Sequence, residues 1–182
     1  MNWPQPLSTP MQSNIKWALK VLFVGDQGVG KTWLMRGVSD GVYVDGFRTS
    51  LGSSFGAKRY DIDPLRVQLQ IWNLTDSPKF RKLRQQLIRG GAGVVYVFSL
   101  TDRMSFDHII HWVDEVRKVL GEIPAILVGT RQESRKRRRV SKREIKQLTK
   151  HLGIPYVEVG LDQDPHFEQA LQTMVLDILK HA

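Results

Sequence analysis

A chain of 182 residues is long enough to bury one full hydrophobic core, and its 41% hydrophobic content holds no apolar run near the 18 residues that a membrane-spanning helix needs. Cysteine is absent, which excludes disulfides, thiolate metal sites and prenyl or palmitoyl anchors. The net charge of +9 is concentrated: residues 131–150 hold ten Lys/Arg against Glu133 and Glu144, a local +8.

Residues 1–16 carry Pro4, Pro6 and Pro10 among Ser, Thr, Gln and Asn, the composition of a flexible extension ahead of one domain over 17–182. Met1-Asn-Trp-Pro is not a basic lead into an apolar stretch, so no signal peptide is expected, and Asn2 is not the glycine that myristoylation takes. With no lipid anchor expected, the chain reads as cytoplasmic, with nuclear or peripheral-membrane placement left open.

Trp17–Val24 reads as a buried strand and Lys31–Val38 as a helix. Between them lies Gly25-Asp26-Gln27-Gly28-Val29-Gly30-Lys31-Thr32, which fits Gly-x4-Gly-Lys-Ser/Thr, the spacing of a phosphate-binding loop. The glycines let successive N–H groups turn inward on a phosphate, Lys31 adds a point charge, and the Thr32 hydroxyl is a Mg²⁺ ligand. A helix opening at Gly30 adds its N-terminal dipole.

Further along, 41–52 is polar and glycine-bearing, a loop. Ser53–Asp61 and Arg66–Asn73, joined across Ile62-Asp-Pro-Leu65, read as a hairpin in which Val67, Leu69 and Ile71 alternate with Gln68 and Gln70. Pro78–Arg89 reads as a basic amphipathic helix, Gly93–Phe98 as a strand buried on both faces, and Ser105–Leu120 as one helix. Pro124–Gly129 is a strand, Val140–Leu152 a helix, Pro155–Glu158 a short strand and Pro165–Lys180 a last helix. Strands alternating with helices imply an α/β fold, a mostly parallel six-stranded sheet covered on both faces.

Over residues 17–180 the chain resembles a Ras-superfamily small GTPase, nearest the Rab and Tem-like branches. The resemblance rests on the phosphate loop, on Arg89-Gly-Gly-Ala-Gly-Val-Val-Tyr-Val-Phe-Ser-Leu-Thr-Asp102 with Ser105, Phe106 and Trp112, and on Tyr43-Val-Asp-Gly-Phe-Arg-Thr-Ser50 as a first switch. It implies the phosphate-loop NTPase fold of the small GTPases, GTP or GDP with Mg²⁺, and effector or regulatory proteins that engage the switches. Nucleotide contacts are implied for Asp26, Gln27, Gly28, Val29, Gly30, Lys31, Thr32, Trp33, Tyr43, Thr130, Arg131, Glu133 and Leu161, and Mg²⁺ contacts for Thr32 and Ser50.

The chain departs from the family where the third strand ends. Asp-x-x-Gly-Gln is here Asn73-Leu-Thr-Asp76-Ser77. Asn73 removes a carboxylate that supports Mg²⁺. Asp76 replaces a glycine whose N–H reaches the γ-phosphate; its carboxylate either meets that phosphate, at roughly 4 kcal/mol per unit charge for ~4 Å and an effective ε of ~20, or turns outward. Ser77 is too short to orient an attacking water as the family's glutamine does. Hydrolysis is therefore expected to be slow or lost.

The base-recognition motif Asn/Thr-Lys-x-Asp is here Thr130-Arg131-Gln132-Glu133, with Glu133 one methylene longer than aspartate, and the Ser-Ala-Lys position reads Gly160-Leu161-Asp162. Arg135-Lys-Arg-Arg-Arg139 forms either a solvated loop or a contact for an anionic surface. His108, His111 and His151 show no metal-ligand spacing with carboxylates. Two functions stay open: a nucleotide switch with impaired hydrolysis, and a scaffold that holds nucleotide statically or not at all. A kinase built on the same loop fits poorly, since the chain has no lid insertion.

Overall fold

The computed structural model describes residues 17–41, 53–160 and 165–182, together with the backbone of 43 and 44. The expected flexible extension over 1–16, and the site residues Ser50 and Leu161, lie outside the described residues.

The chain runs β1 (Trp17–Val24), α1 (Lys31–Val38), β2 (Tyr43–Val44), β3 (Ser53–Ile62), β4 (Leu65–Leu74), α2 (Arg81–Ile88), β5 (Gly93–Ser99), α3 (Arg103–Asp107), α4 (Ile109–Leu120), β6 (Ala125–Thr130), α5 (Lys142–Leu152), β7 (Tyr156–Glu158) and α6 (Pro165–Lys180). The strands form one sheet in the order β2-β3-β4-β1-β5-β6-β7. β1 lies at its centre, parallel to β4 and β5, and β6 and β7 continue the parallel run. β3 pairs antiparallel with β4, as the hairpin pattern requires.

Period-two alternation decides which residues meet which helices. In β1, Val21 and Phe23 face one layer with Leu34, Met35 and Val38 of α1 and Phe167, Leu171 and Val175 of α6. Leu22 and Val24 face the other, with Ile88, Phe106, Ile109, Trp112, Val116 and Ile145 from α2 to α5. β5 is buried at every position, which its uninterrupted apolar run foretold.

Three expectations need correction. The six expected strands are present, but Tyr43–Val44 within the expected 41–52 loop adds a seventh, pairing with Phe55 and Gly56 at the sheet edge. The helix expected over Pro78–Arg89 opens as a 3-10 turn at Pro78–Phe80, with proline at the first position, and continues as α2 from Arg81. The helix expected over Ser105–Leu120 begins earlier and breaks at His108. Asp102 starts α3 by accepting from the N–H groups of Met104 and Ser105.

Candidate functional site

The loop between β1 and α1 sits at the carboxyl edge of the sheet, where parallel strands leave an open crevice. Gly25 has φ 149°, and a Cβ there would lie 2.1 Å from the Val97 carbonyl oxygen, so only glycine passes this close to β5. Gly30 has φ 104° and turns the chain into α1, whose first turn is closed by Leu34 N–H on the Gly30 carbonyl at 3.0 Å. Lys31 is 6% exposed. Its ammonium reaches back to donate to the carbonyls of Gly25 and Asp26, each at 2.7 Å. Burial holds its pKa down to about 8, against the opposing pull of Asp76 and Asp26.

Asp26 does not point at the inside of the loop. Its carboxylate accepts from His108 Nδ1 at 2.6 Å and from Trp112 Nε1 at 2.9 Å. His108 stands at the junction of α3 and α4. The loop is thereby tied to a helix more than 80 residues away in sequence.

At the end of β4, Asn73 is 1% exposed. Its amide donates to Thr32 Oγ1 at 3.0 Å and to Ser54 Oγ at 3.2 Å. Its own Oδ1 is buried with no hydrogen-bond partner. An orphaned acceptor beside the Thr32 hydroxyl suits a cation or its bound water, so the donor set fits Mg²⁺, with a neutral amide where a carboxylate would serve better.

Asp76 turns toward the loop. Its Oδ2 accepts from the Gln27 N–H of the loop at 2.8 Å. The turn that carries it is braced, since Arg84 Nη1 donates to the Thr75 carbonyl at 2.9 Å and Ser77 N–H bonds Thr75 Oγ1 at 3.2 Å. Arg84 is buried, paired with Glu115 at 2.8 Å, and its guanidinium lies 5.1 Å from the centre of the Trp112 ring. Asp26, Asp76, Arg84, His108, Trp112 and Glu115 share a cleft of about 370 Å³.

The other end of the site is built from β6. Thr130 Oγ1 donates toward the Val29 carbonyl at 2.5 Å, with the Phe98 carbonyl at 3.2 Å. Arg131, at φ 65°, donates from Nη2 to the Gly28 carbonyl at 3.1 Å. Glu133 is exposed, its Oε2 3.5 Å from where a Cβ of Gly160 would stand. Loop and β6 are thus joined at Gly28 and Val29.

The structure therefore gathers Asp26 to Thr32, Asn73, Asp76, Thr130 and Arg131 around one loop, with Glu133 beside Gly160. Trp33 is not among them: its side chain lines a separate cleft of about 620 Å³ with Val38, Val159 and Phe167. Of Tyr43 only the backbone is described. The basic run also changes. Arg138 turns inward to hold Glu158 at 2.7 and 3.1 Å, leaving Arg135, Lys136, Arg137 and Arg139 as its exposed members.

Sequence reasoning named His108 and Trp112 without joining them to the loop, and missed Arg84, Glu115 and Ser54. The one available signal was His108 and Trp112 at i,i+4, on one helical face. Among the described residues no group of three His, Cys, Asp or Glu could hold a metal ion, and no helix is long and apolar enough to cross a membrane. Compared with known families, residues 20–180 match the sequence model of the Ras family.

Proposed function

This chain belongs to the Ras family of small GTPases, and from that premise we propose that it is a guanine-nucleotide-binding switch whose own hydrolytic chemistry is weak or lost. One observation supports nucleotide binding above the others. Thr130 and Arg131 reach the Val29 and Gly28 carbonyls, so the segment that reads a base and the loop that holds phosphates form one unit. In this reading the N–H groups from Asp26 to Trp33 receive the phosphates and Lys31 exchanges its loop carbonyls for phosphate oxygens. Thr130, Arg131, Glu133 and Leu161 border the base with Tyr43. Mg²⁺, when bound, neutralises phosphate charge; Thr32 and Ser50 would hold it, with Asn73 as a neutral neighbour.

Hydrolysis in this family needs a water oriented for attack. Ser77 lacks the reach, and its backbone serves the Thr75 turn instead. Partners would be effector or regulatory proteins at the switches, in the Rab-like manner, and Arg135, Lys136, Arg137 and Arg139 would add attraction to an anionic surface. Cytoplasmic placement, with nuclear or peripheral-membrane contact, accords with that charge.

A second reading, a scaffold that holds nucleotide statically or not at all, draws support from Lys31 and Gln27 N–H, both satisfied within the protein itself. The deciding experiment is the identity and amount of nucleotide released from purified, denatured protein, followed by single-turnover hydrolysis of added GTP. Near-stoichiometric guanine nucleotide with negligible turnover is the expected result. An empty protein that ignores added GTP, GDP and Mg²⁺ would establish the scaffold.

A further inference from the structure

Two carboxylates stand beside the phosphate loop and line one cleft, but they are engaged differently. Both oxygens of Asp26 are taken, by His108 and Trp112. Asp76 instead accepts from the Gln27 N–H, the kind of inward donor that such a loop offers to a phosphate oxygen. It is near enough to Lys31 to pull on that buried ammonium electrostatically.

Nor is Asp76 an idle side chain on a loose turn. Arg84 holds the Thr75 carbonyl, and Arg84 is itself fixed by Glu115 and packed on Trp112. Trp112 also donates to Asp26, so the same side chain steadies the loop and the brace of the turn opposite. A negative group is thereby held against the loop from a rigid support.

Resting on the nucleotide-binding reading above, we propose that Asp76 is a resident anion that stands in for a terminal phosphate, so that this chain selects a nucleoside diphosphate over a triphosphate. A diphosphate leaves the Asp76–Gln27 bond intact. A third phosphate brings more negative charge toward the same N–H and the same Lys31, and must displace the carboxylate with its turn.

The test measures the dissociation constants of GDP and of a non-hydrolysable GTP analogue, with Mg²⁺, by calorimetry on the full chain stripped of nucleotide. The wild-type protein is expected to favour GDP by roughly 10- to 100-fold, the worth of one hydrogen bond to a charged group. Asp76→Asn should bring the ratio to within about threefold, chiefly by tightening the triphosphate, and Asp76→Glu should retain the preference. Asp76→Gly, measured beside them with a thermal melt of each protein, guards against a misfolded asparagine variant. Equal wild-type affinities, or a ratio that neither Asp76→Asn nor Asp76→Gly moves, would overturn the proposal alone. So would weaker triphosphate binding by Asp76→Asn, since the carboxylate would then be serving the cation. If no variant binds either nucleotide, the nucleotide-binding reading fails first and the selection falls with it.

Discussion

On the side proposed to meet the base, Arg131 reaches the Gly28 carbonyl with a nitrogen, as a lysine there could, and Thr130 holds the Val29 carbonyl. On the side proposed to meet the γ-phosphate, Asn73 donates to the Thr32 and Ser54 hydroxyls, which an aspartate there could only accept from. Asp76 stands for a glycine and has taken a loop N–H for itself. On the base side, exchange kept the sign of charge and the direction of the hydrogen bonds. On the side proposed to meet the γ-phosphate, exchange removed a carboxylate at 73, where a donor now stands, and introduced one at 76. A family's contacts survive substitution when donor and acceptor roles survive, whatever becomes of residue names.

The comparison can be broken from its shared centre. Lys31→Ala should remove nucleotide from the switch, with a loss of affinity on the order of a thousandfold, since the ammonium that now holds the Gly25 and Asp26 carbonyls would no longer be there to exchange them for phosphate oxygens. Retained nucleotide is measured by chromatography of the denatured protein. Unchanged content would show that the base side alone holds the ligand.

The brace behind Asp76 gives the next largest effect. Arg84→Ala leaves Glu115 without its partner and uncovers Trp112, and should lower stability by about 3 kcal/mol in urea unfolding. If stability falls while the Asp76-dependent selection persists, the brace serves folding alone. On the base side, Thr130→Val removes one buried hydroxyl and leaves the Val29 carbonyl unmatched. A loss of about 1–2 kcal/mol is expected by the same measurement.

Much of this was legible before any coordinates. β1, α1 and α6 have the bounds that the sequence implied, because an apolar run, a Gly-Lys-Thr junction and a proline-led amphipathic stretch are local signals. The hairpin followed from strict alternation and a proline turn. What escaped was non-local. Tyr43–Val44 is too short for any pattern, and the break at His108 is hidden because the apolar spacing of Phe106, Ile109 and Val113 runs through it. The Asp26 bonds to His108 and Trp112 span separations of 82 and 86 residues, which no window joins. Sequence identified Asp76 as the odd residue but left its direction open, since that depends on Arg84 and the turn it holds. Arg138 sat within a run of like charges, and only the position of Glu158 separates it from its neighbours.

The smallest expected effect tests how firmly the base side is anchored. After the basic run, Ser141 and Glu144 cap α5 reciprocally, and Glu144 also meets Arg103 at the start of α3. The Ser141 hydroxyl, the Arg103 guanidinium and the Ser141 N–H hold the Glu144 carboxyl down to about 2, from an ordinary 4.5. A carboxylate whose folded pKa is depressed gives stability that is complete above its unfolded value and lost as the pH falls through its folded value. Its contribution should therefore decline between about pH 4.5 and pH 2 and be constant at neutrality. Glu144→Gln should flatten that part of the acid unfolding curve. Because the Glu144 side chain keeps 35% of its surface open to water, the difference should shrink further in high salt. A wild-type acid curve that the substitution leaves unaltered would mean that α5 is held by its buried Ile145 and Leu152 alone, and that the base-side loop needs no charge to stay in place.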